Sequence, residues 1–202
     1  MPRDAPTAWA VSGQVLGISV RAEAGLLAAV QSAHPSVPAR QESFRESAMA
    51  EMAVALPDES MMLTFVVTAD GAVLVYAGGA DVFRAQGWLQ GLAATTGADS
   101  IVHALAHTNK VGEVELGVFD AARLAGRDLR ALPMLERHEQ VHARLHAGPL
   151  PARVRYHWAG YAATCYRELA SGRLPFASHQ MLVFRPERVA RVLGPIVTRS
   201  SR

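Results

Sequence analysis

The sequence predicts a single α+β domain in which helices pack on a mainly antiparallel sheet of about 4–6 strands. Three observations lead to this prediction. The chain has 202 residues and half of them are hydrophobic, which is enough for one substantial core. Short runs of alternating hydrophobicity occur in pairs around tight turns, and amphipathic segments of helical period separate those pairs. We assign residues 1–195 to this domain and residues 196–202 to a flexible C-terminal tail.

The first half of the chain predicts a mixture of strands and helices. Ser43 and Glu46 form a capping box, which marks the start of a helix. Asp70-Gly71 between two apolar runs is the strongest local pattern and predicts a hairpin. Asp81 is the expected N-cap of a further helix. The expected elements are strand 15–20, helix 22–31, helix 43–56, strands 61–68 and 72–77, and helix 82–96.

The second half continues the same mixture. A turn around Asn109 joins two apolar runs that predict strands, and proline and glycine residues bound the helices that follow. The expected elements are strands 101–107 and 114–119, a helix from 134 to about 147, strand 154–157, helix 158–171, strand 180–184, and a short helix from 185 that ends at Gly194-Pro195.

Charge is distributed unevenly along the chain. Residues 1–122 hold 6 basic and 13 acidic side chains, a balance of −7, and residues 123–202 hold 14 arginines and 5 acids, a balance of +9. The sum is the net charge of +2. A basic half predicts an anionic partner such as nucleic acid. The favoured alternative is that arginine is the general solubilising cation, since Lys110 is the only lysine, or that the acidic half neutralises the basic half across the fold or across a homo-oligomer such as a dimer. No nucleic-acid-binding motif accompanies the arginines.

The composition also predicts a cellular compartment. Cys165 is the single cysteine, so no internal disulfide can form and a reducing compartment is expected. The longest apolar run, 61–80, is interrupted by Asp70-Gly71, and the N-terminus lacks a secretory signal pattern. We therefore expect a cytoplasmic protein that does not associate with a membrane.

One segment carries a motif with specific chemistry. His138-Glu139-Gln140-Val141-His142 has the H-E-x-x-H pattern, and His146 extends the spacing by four. Residues four apart lie above one another on a helix, so His138 and His142 can hold one zinc ion while Glu139 acts on its bound water. On a helical wheel, the three histidines fall beside Met134, Val141 and Leu145, which predicts that they face inward. Arg137 falls with the other charged and amide residues on the opposite side, which is expected to face solvent.

A zinc site of this kind needs a third protein ligand. Glu168, 26 residues beyond His142 on the next helix, is the expected ligand, and His157, His103 and His107 are alternatives. Tyr161, or else Tyr156 or Tyr166, is expected to stabilise an oxyanion.

These residues predict a zinc-dependent hydrolase with Glu139 and Tyr161 as catalytic residues and zinc as the cofactor. The metal lowers the pKa of its water, Glu139 takes the proton, and the hydroxide attacks an amide carbonyl of a small-molecule or peptide substrate. The motif covers five residues, and a string of this kind also arises by chance in a histidine-containing chain.

The alternative function is a non-catalytic regulatory module. In this interpretation the α+β domain senses a ligand or dimerises, and the arginine-rich half binds an anionic partner such as nucleic acid. An enzyme based on Cys165 is a weaker alternative, because that residue lies on the apolar side of its helix, where thiols are usually inert.

Overall fold

We describe the chain from a computed structural model. The residues described are 16–20, 51–76, 82–85, 87–109, 111–148, 150–157, 159–174, 176–184 and 190–193. The strands, in chain order, are β1 Leu16–Val20, β2 Met52–Pro57, β3 Met61–Val67, β4 Val73–Tyr76, β5 Val82–Ala85, β6 Ser100–Thr108, β7 Val114–Leu124, β8 Arg127–Asp128, β9 Val154–Tyr156, β10 Gly160–Tyr161, β11 Ser178–Phe184 and β12 Ala190–Leu193. The helices are α1 Leu92–Thr96, α2 Met134–His146 and α3 Ala162–Ser171, and a 3-10 turn, Gly87–Gly91, precedes α1.

The larger sheet has eight strands in the order β1-β5-β4-β3-β6-β7-β8, and β9 pairs with β7. Neighbouring strands along that order are antiparallel, whereas β9 runs parallel to β7. The β3–β4 hairpin closes where Gly71 adopts a φ of 84°, a conformation that glycine reaches without strain. The core on this sheet includes Phe65, Leu116, Val141 and Leu145, so α2 buries its apolar side here.

The smaller sheet has the order β10-β2-β11-β12 and is antiparallel. Its central strand β2 is buried on both faces. Ala53 and Ala55 pack with α3, and Val54 packs with Leu105 and Phe119 of the larger sheet. The two sheets therefore share a core.

The predicted fold class is confirmed, since the described residues form one α+β domain with mainly antiparallel strands. The predicted strands 15–20, 61–68, 72–77, 101–107, 114–119, 154–157 and 180–184 and the helices 134–147 and 158–171 all have counterparts, with bounds that differ by a few residues. The expected helix 22–31 and the tail 196–202 lie outside the described residues.

Three expected helices are wrong where the chain is described. Residues 52–57 are a strand, because a strand buried on both faces shows no alternation that would distinguish it from a helix. Residues 82–85 form a strand paired with both β4 and β1, so only the 3-10 turn and α1 remain of the expected helix 82–96. Residues 190–193 pair with β11 instead of forming the expected C-terminal helix.

The charge asymmetry is partly neutralised within the fold. Among the described residues, five arginines of the basic half form ion pairs, three of them with acids of the first half: Arg123–Asp99, Arg130–Asp128, Arg137–Asp120, Arg153–Glu113 and Arg173–Glu168. Among the described helices, none is long and apolar enough to cross a bilayer.

Candidate functional site

Helix α2 turns only one of its three histidines into the core. His138 is 4% exposed, whereas His142, His146 and Glu139 lie on the exposed side. The buried side of the helix also includes Arg137, which the sequence placed in solvent. The predicted inward row of three imidazoles is therefore wrong, because the buried face is rotated toward Arg137. We call His138, His142 and His146 the histidine row.

His138 has no free ring nitrogen. Its Nδ1–H donates to the Phe119 carbonyl over 2.7 Å, since a carbonyl can only accept. Its Nε2 then accepts the Ala159 N–H over 3.1 Å and the Tyr156 hydroxyl. Burial lowers the pKa of His138, with a smaller opposing effect of the Phe119 hydrogen bond. The imidazole is thus neutral, and its only lone pair is already shared by two donors, so it does not serve as a zinc ligand.

The side chain next to it is fixed by a buried ion pair. Arg137 Nε and Nη2 donate to the two Asp120 carboxylate oxygens over 2.8 Å each. Arg137 Nη1 also donates to the Leu132 carbonyl over 3.0 Å, and Asp120 accepts the Ala121 N–H over 2.8 Å. Such a bidentate pair satisfies both ions in a site that excludes water. This ion pair holds the Arg137 side chain in the core and connects α2 to β7.

The other predicted site residues lie apart from His138. Glu168 is on α3, which packs on β2 and β11 of the smaller sheet, and it pairs with Arg173 over 3.3 Å. Tyr161 is 57% exposed and pairs with Met52 at the end of β2. Within the described part of the chain, no three His, Cys, Asp or Glu side chains are arranged to hold a metal ion. The predicted ligands His138, His142 and Glu168 are therefore not brought together in the described structure.

The histidine row instead surrounds one tyrosine. The Tyr156 ring centroid lies 4.8 Å from that of His138, 4.5 Å from that of His142 and 6.1 Å from that of His146. His142 and His146 are 4.2 Å apart. Burial, with a contribution from the Glu139 carboxylate, raises the pKa of Tyr156 to about 12. Tyr156 is therefore a neutral hydrogen-bond donor at neutral pH.

A cleft lies where the two sheets meet, close to Tyr156. Its volume is about 530 Å³, within the range of small-molecule sites. We call it the inter-sheet cleft. It is lined by the ends of β2, β6 and β9, the start of β7 and the segment before β11, and its lining residues are Pro57, Asp58, His107, Thr108, Asn109, Val111, Glu115, Gly117, Arg155, Tyr156, His157, Phe176 and Ala177.

Three rings shape one side of the cleft. His157 and Phe176 are stacked, with centroids 5.4 Å apart and planes 21° from parallel. His107 lies 5.7 Å from Phe176 at a tilt of 56°. Phe176 is only half-buried, so part of its ring surface remains accessible from the cleft. This side of the cleft is suited to a flat, partly apolar group.

His157 joins the two sheets at the bottom of this arrangement. Its Nε2–H donates to the Ala55 carbonyl of β2 over 2.8 Å, and burial lowers its pKa to about 4. A Cβ atom added at Gly117 would lie 2.7 Å from His157 Nδ1. Glycine is therefore required in this strand to admit the ring.

The charges of the cleft are mixed. Glu115 accepts a hydrogen bond from Asn109 over 3.0 Å, and Asp58 lies 2.8 Å from His179 Nδ1. Arg155 is exposed and has no carboxylate partner among the described residues. The Nδ1 atom of His107 is buried without a partner in the described structure, and burial lowers the pKa of this ring. Two carboxylates and one guanidinium give the described lining a slight excess of negative charge.

Sequence reasoning missed most of this cleft. It singled out His107 and His157 only as alternative zinc ligands, and it assigned no role to Phe176 or Arg155. One local signal was available, because Gly117 interrupts an apolar strand, and an isolated glycine there indicates that another group approaches closely.

Comparisons with known proteins identify the fold. No protein-family model matches the sequence, and the search of curated proteins gave no match. The structure is similar to the ligase domain of M. tuberculosis LigD, with a TM-score of 0.54, 16% identity, and coverage of 80% of this chain and 58% of that chain. It is also similar to mycobacterial DNA ligase D complexed with ATP and MES, with a TM-score of 0.52, 16% identity, and coverage of 79% and 59%. The chain thus spans less than two thirds of the length of these neighbours.

The comparisons correct the zinc hydrolase classification. At 16% identity the likeness concerns the fold alone, and the two similar structures are ligase domains of DNA ligase D and not zinc hydrolases. The described residues also lack a cluster able to hold a metal. In the described structure, the H-E-x-x-H string on α2 does not assemble a cluster of metal ligands.

Proposed function

We propose that this chain is a non-catalytic binding module that holds a small molecule with a nucleobase ring in the inter-sheet cleft. The observation that carries the proposal is the stacked His157–Phe176 pair on one side of this cleft. Nucleobases bind proteins by stacking on aromatic and imidazole rings, and each such contact contributes about 1–3 kcal/mol.

The fold neighbours support this ligand class. The printed description of mycobacterial DNA ligase D includes a complex with ATP. Sites for ligands often lie where two layers of a fold meet, and here both sheets contribute to one cleft of suitable size.

The charges of the cleft limit which class of nucleobase ligand it can bind. Asp58 and Glu115 oppose a triphosphate, and Arg155 is the one cation among the described lining residues. A single guanidinium pairs with one phosphate at most in bidentate geometry. We therefore expect adenosine to bind at least as tightly as ATP. A site that binds its ligand mainly through phosphate groups would instead bind ATP more tightly.

The nucleophiles and bases considered from the sequence do not support catalysis. Burial raises the pKa of the Cys165 thiol to about 12, with a contribution from the Glu168 carboxylate, so the reactive thiolate does not form at neutral pH. Glu139 is exposed on α2, and the ligands expected beside it lie on two different helices, His138 and His142 on α2 and Glu168 on α3. These observations favour binding over hydrolysis.

Calorimetric titration of the full chain with adenosine and with ATP tests the proposal. Phe176→Leu keeps a buried apolar side chain but removes the ring, and we expect it to weaken adenosine binding about tenfold. Tyr166→Leu is the matched control, because Tyr166 is also a half-buried aromatic residue packed on the small-sheet core, outside the cleft. The proposal fails if neither compound gives a saturable signal, or if both variants lose affinity equally.

Binding of an anionic macromolecule is a second candidate function. Four exposed arginines of the basic half have no carboxylate within ion-pair distance among the described residues: Arg127, Arg144, Arg155 and Arg167. Titration with duplex DNA at increasing salt concentrations tests this candidate. A steep fall of affinity with salt would support it. A larger loss of affinity in Arg144→Gln than in Arg130→Gln, the control in which the arginine is ion-paired, would support it as well.

A further inference from the structure

We propose that the histidine row positions Tyr156, and that this contact fixes the β9 wall of the inter-sheet cleft. The inference rests on the proposed ligand site. In this inference the histidine row of α2 has a positioning role, and His138 affects ligand binding through Tyr156.

The first part of the contact holds the tyrosine hydroxyl. The Tyr156 O–H donates to His138 Nε2, and the same nitrogen accepts the Ala159 N–H. On the opposite side of the ring, Nδ1–H donates to the Phe119 carbonyl of β7. One buried imidazole therefore connects β7, β9 and the segment that leads to β10.

The second part of the contact holds the tyrosine ring. His142 meets it edge-on, with centroids 4.5 Å apart and planes at 77°. His146 in turn contacts His142 and lies further from the tyrosine. Edge-to-face packing of this kind favours one ring orientation. The hydroxyl and the ring are thus fixed by two successive turns of the same helix.

The backbone of β9 connects these contacts to the wall of the cleft. Arg155 and His157 flank Tyr156 in the chain, and all three residues line the cleft, whereas His138 does not. β9 is a strand of three residues, and within the described part of the chain it pairs on one side only, with β7. Such a short strand depends on its side chains for a fixed position, so loss of the Tyr156 contact is expected to displace both neighbours.

The experiment compares His138→Gln and Tyr156→Phe, alone and combined, in adenosine titrations of the full chain. Each single change removes the Tyr156–His138 hydrogen bond, and we expect each to weaken binding at least about fivefold. His138→Gln also removes the bonds to Phe119 and Ala159. The double variant is therefore expected to bind no more weakly than His138→Gln alone, because the shared bond is lost only once. Gln140→Ala, exposed on the other side of α2, is the control and should keep wild-type affinity.

A ligand-free measurement separates this inference from the proposed function. Amide ¹H–¹⁵N spectra of Tyr156→Phe should show shifted signals for Gly117 and Phe176, which contact Arg155 and His157 but are not chain neighbours of residue 156. The spectra of Gln140→Ala should not show these shifts. Unshifted signals overturn the positioning role, whether or not adenosine binds and whether or not His138→Gln folds. Additive losses of affinity in the double variant also overturn it. Shifted signals in a chain that does not bind adenosine would support the positioning role and contradict the proposed function.

Discussion

His138 and the inter-sheet cleft both contact Tyr156 but differ in how many of their hydrogen-bonding atoms have a partner. Every hydrogen-bonding atom of the His138 ring has a partner within the protein. In the cleft, His107 Nδ1 has no partner in the described structure, and Arg155 has no carboxylate. The comparison teaches that spacing shows which side chains can meet, whereas unused hydrogen-bonding capacity shows which of them can bind a ligand.

The largest expected effect tests how firmly α2 is fixed. Arg137→Ala leaves the Asp120 carboxylate buried without its partner, so we expect the free energy of unfolding to fall by about 3–5 kcal/mol. Arg130→Ala removes the exposed pair with Asp128 and should lower it by less than about 1 kcal/mol. Urea denaturation of both variants measures the difference. Similar losses in the two would show that α2 does not depend on the buried pair.

The next effect tests the packing beneath the cleft. Gly117→Ala places a methyl group against the His157 ring, and we expect the free energy of unfolding to fall by about 1–3 kcal/mol. Gly148→Ala is the control, because a Cβ atom there meets nothing within 4 Å. A stability of Gly117→Ala equal to that of the control would contradict the close approach of His157.

The pH dependence of stability tests the burial of His157. Its pKa is about 4 in the folded protein, against 6.5 for an exposed histidine. Between these values the unfolded chain binds more protons, so stability is complete above pH 6.5 and is lost as the pH falls toward 4. The expected slope is at most about 1.4 kcal/mol per pH unit for this group. His157→Gln should reduce the slope, and an unchanged slope would place the ring in solvent.

The smallest expected effect is the response to zinc. Protein purified without a histidine tag should contain less than about a tenth of an equivalent of the metal, because His138 lacks a free lone pair. Added zinc should leave the melting temperature of the wild type and of His138→Gln equally unchanged. If added zinc stabilises the wild type but not His138→Gln, His138 is a metal ligand and the zinc prediction is correct.

Local patterns were sufficient for much of the fold. The hairpin around Asp70-Gly71 and the strands on either side of Asn109 carry their turn signals in the sequence, and α2 has a clear helical period. Residues 52–57 could not be predicted in this way, because β2 is buried by α3 on one face and by the larger sheet on the other. That burial depends on segments more than 45 residues away.

The candidate site was less predictable for a similar reason. The helical wheel placed Arg137 in solvent, since arginine is rarely buried without a partner, and the partner, Asp120, lies 17 residues earlier on β7. When Arg137 is placed on the buried side of α2, that side shifts around the helix axis, and His142 and His146 then lie on the exposed side. The cleft is assembled from the ends of several strands, and no local motif connects Thr108, Arg155 and Phe176.

Mapping of adenosine binding by amide ¹H–¹⁵N spectra of the full chain tests the central claim most directly. The proposed site predicts saturable shifts in the signals of Thr108, Gly117 and His157, with little change on α3. Shifts confined to α3 and β11, or no saturable shift at any concentration, would contradict it.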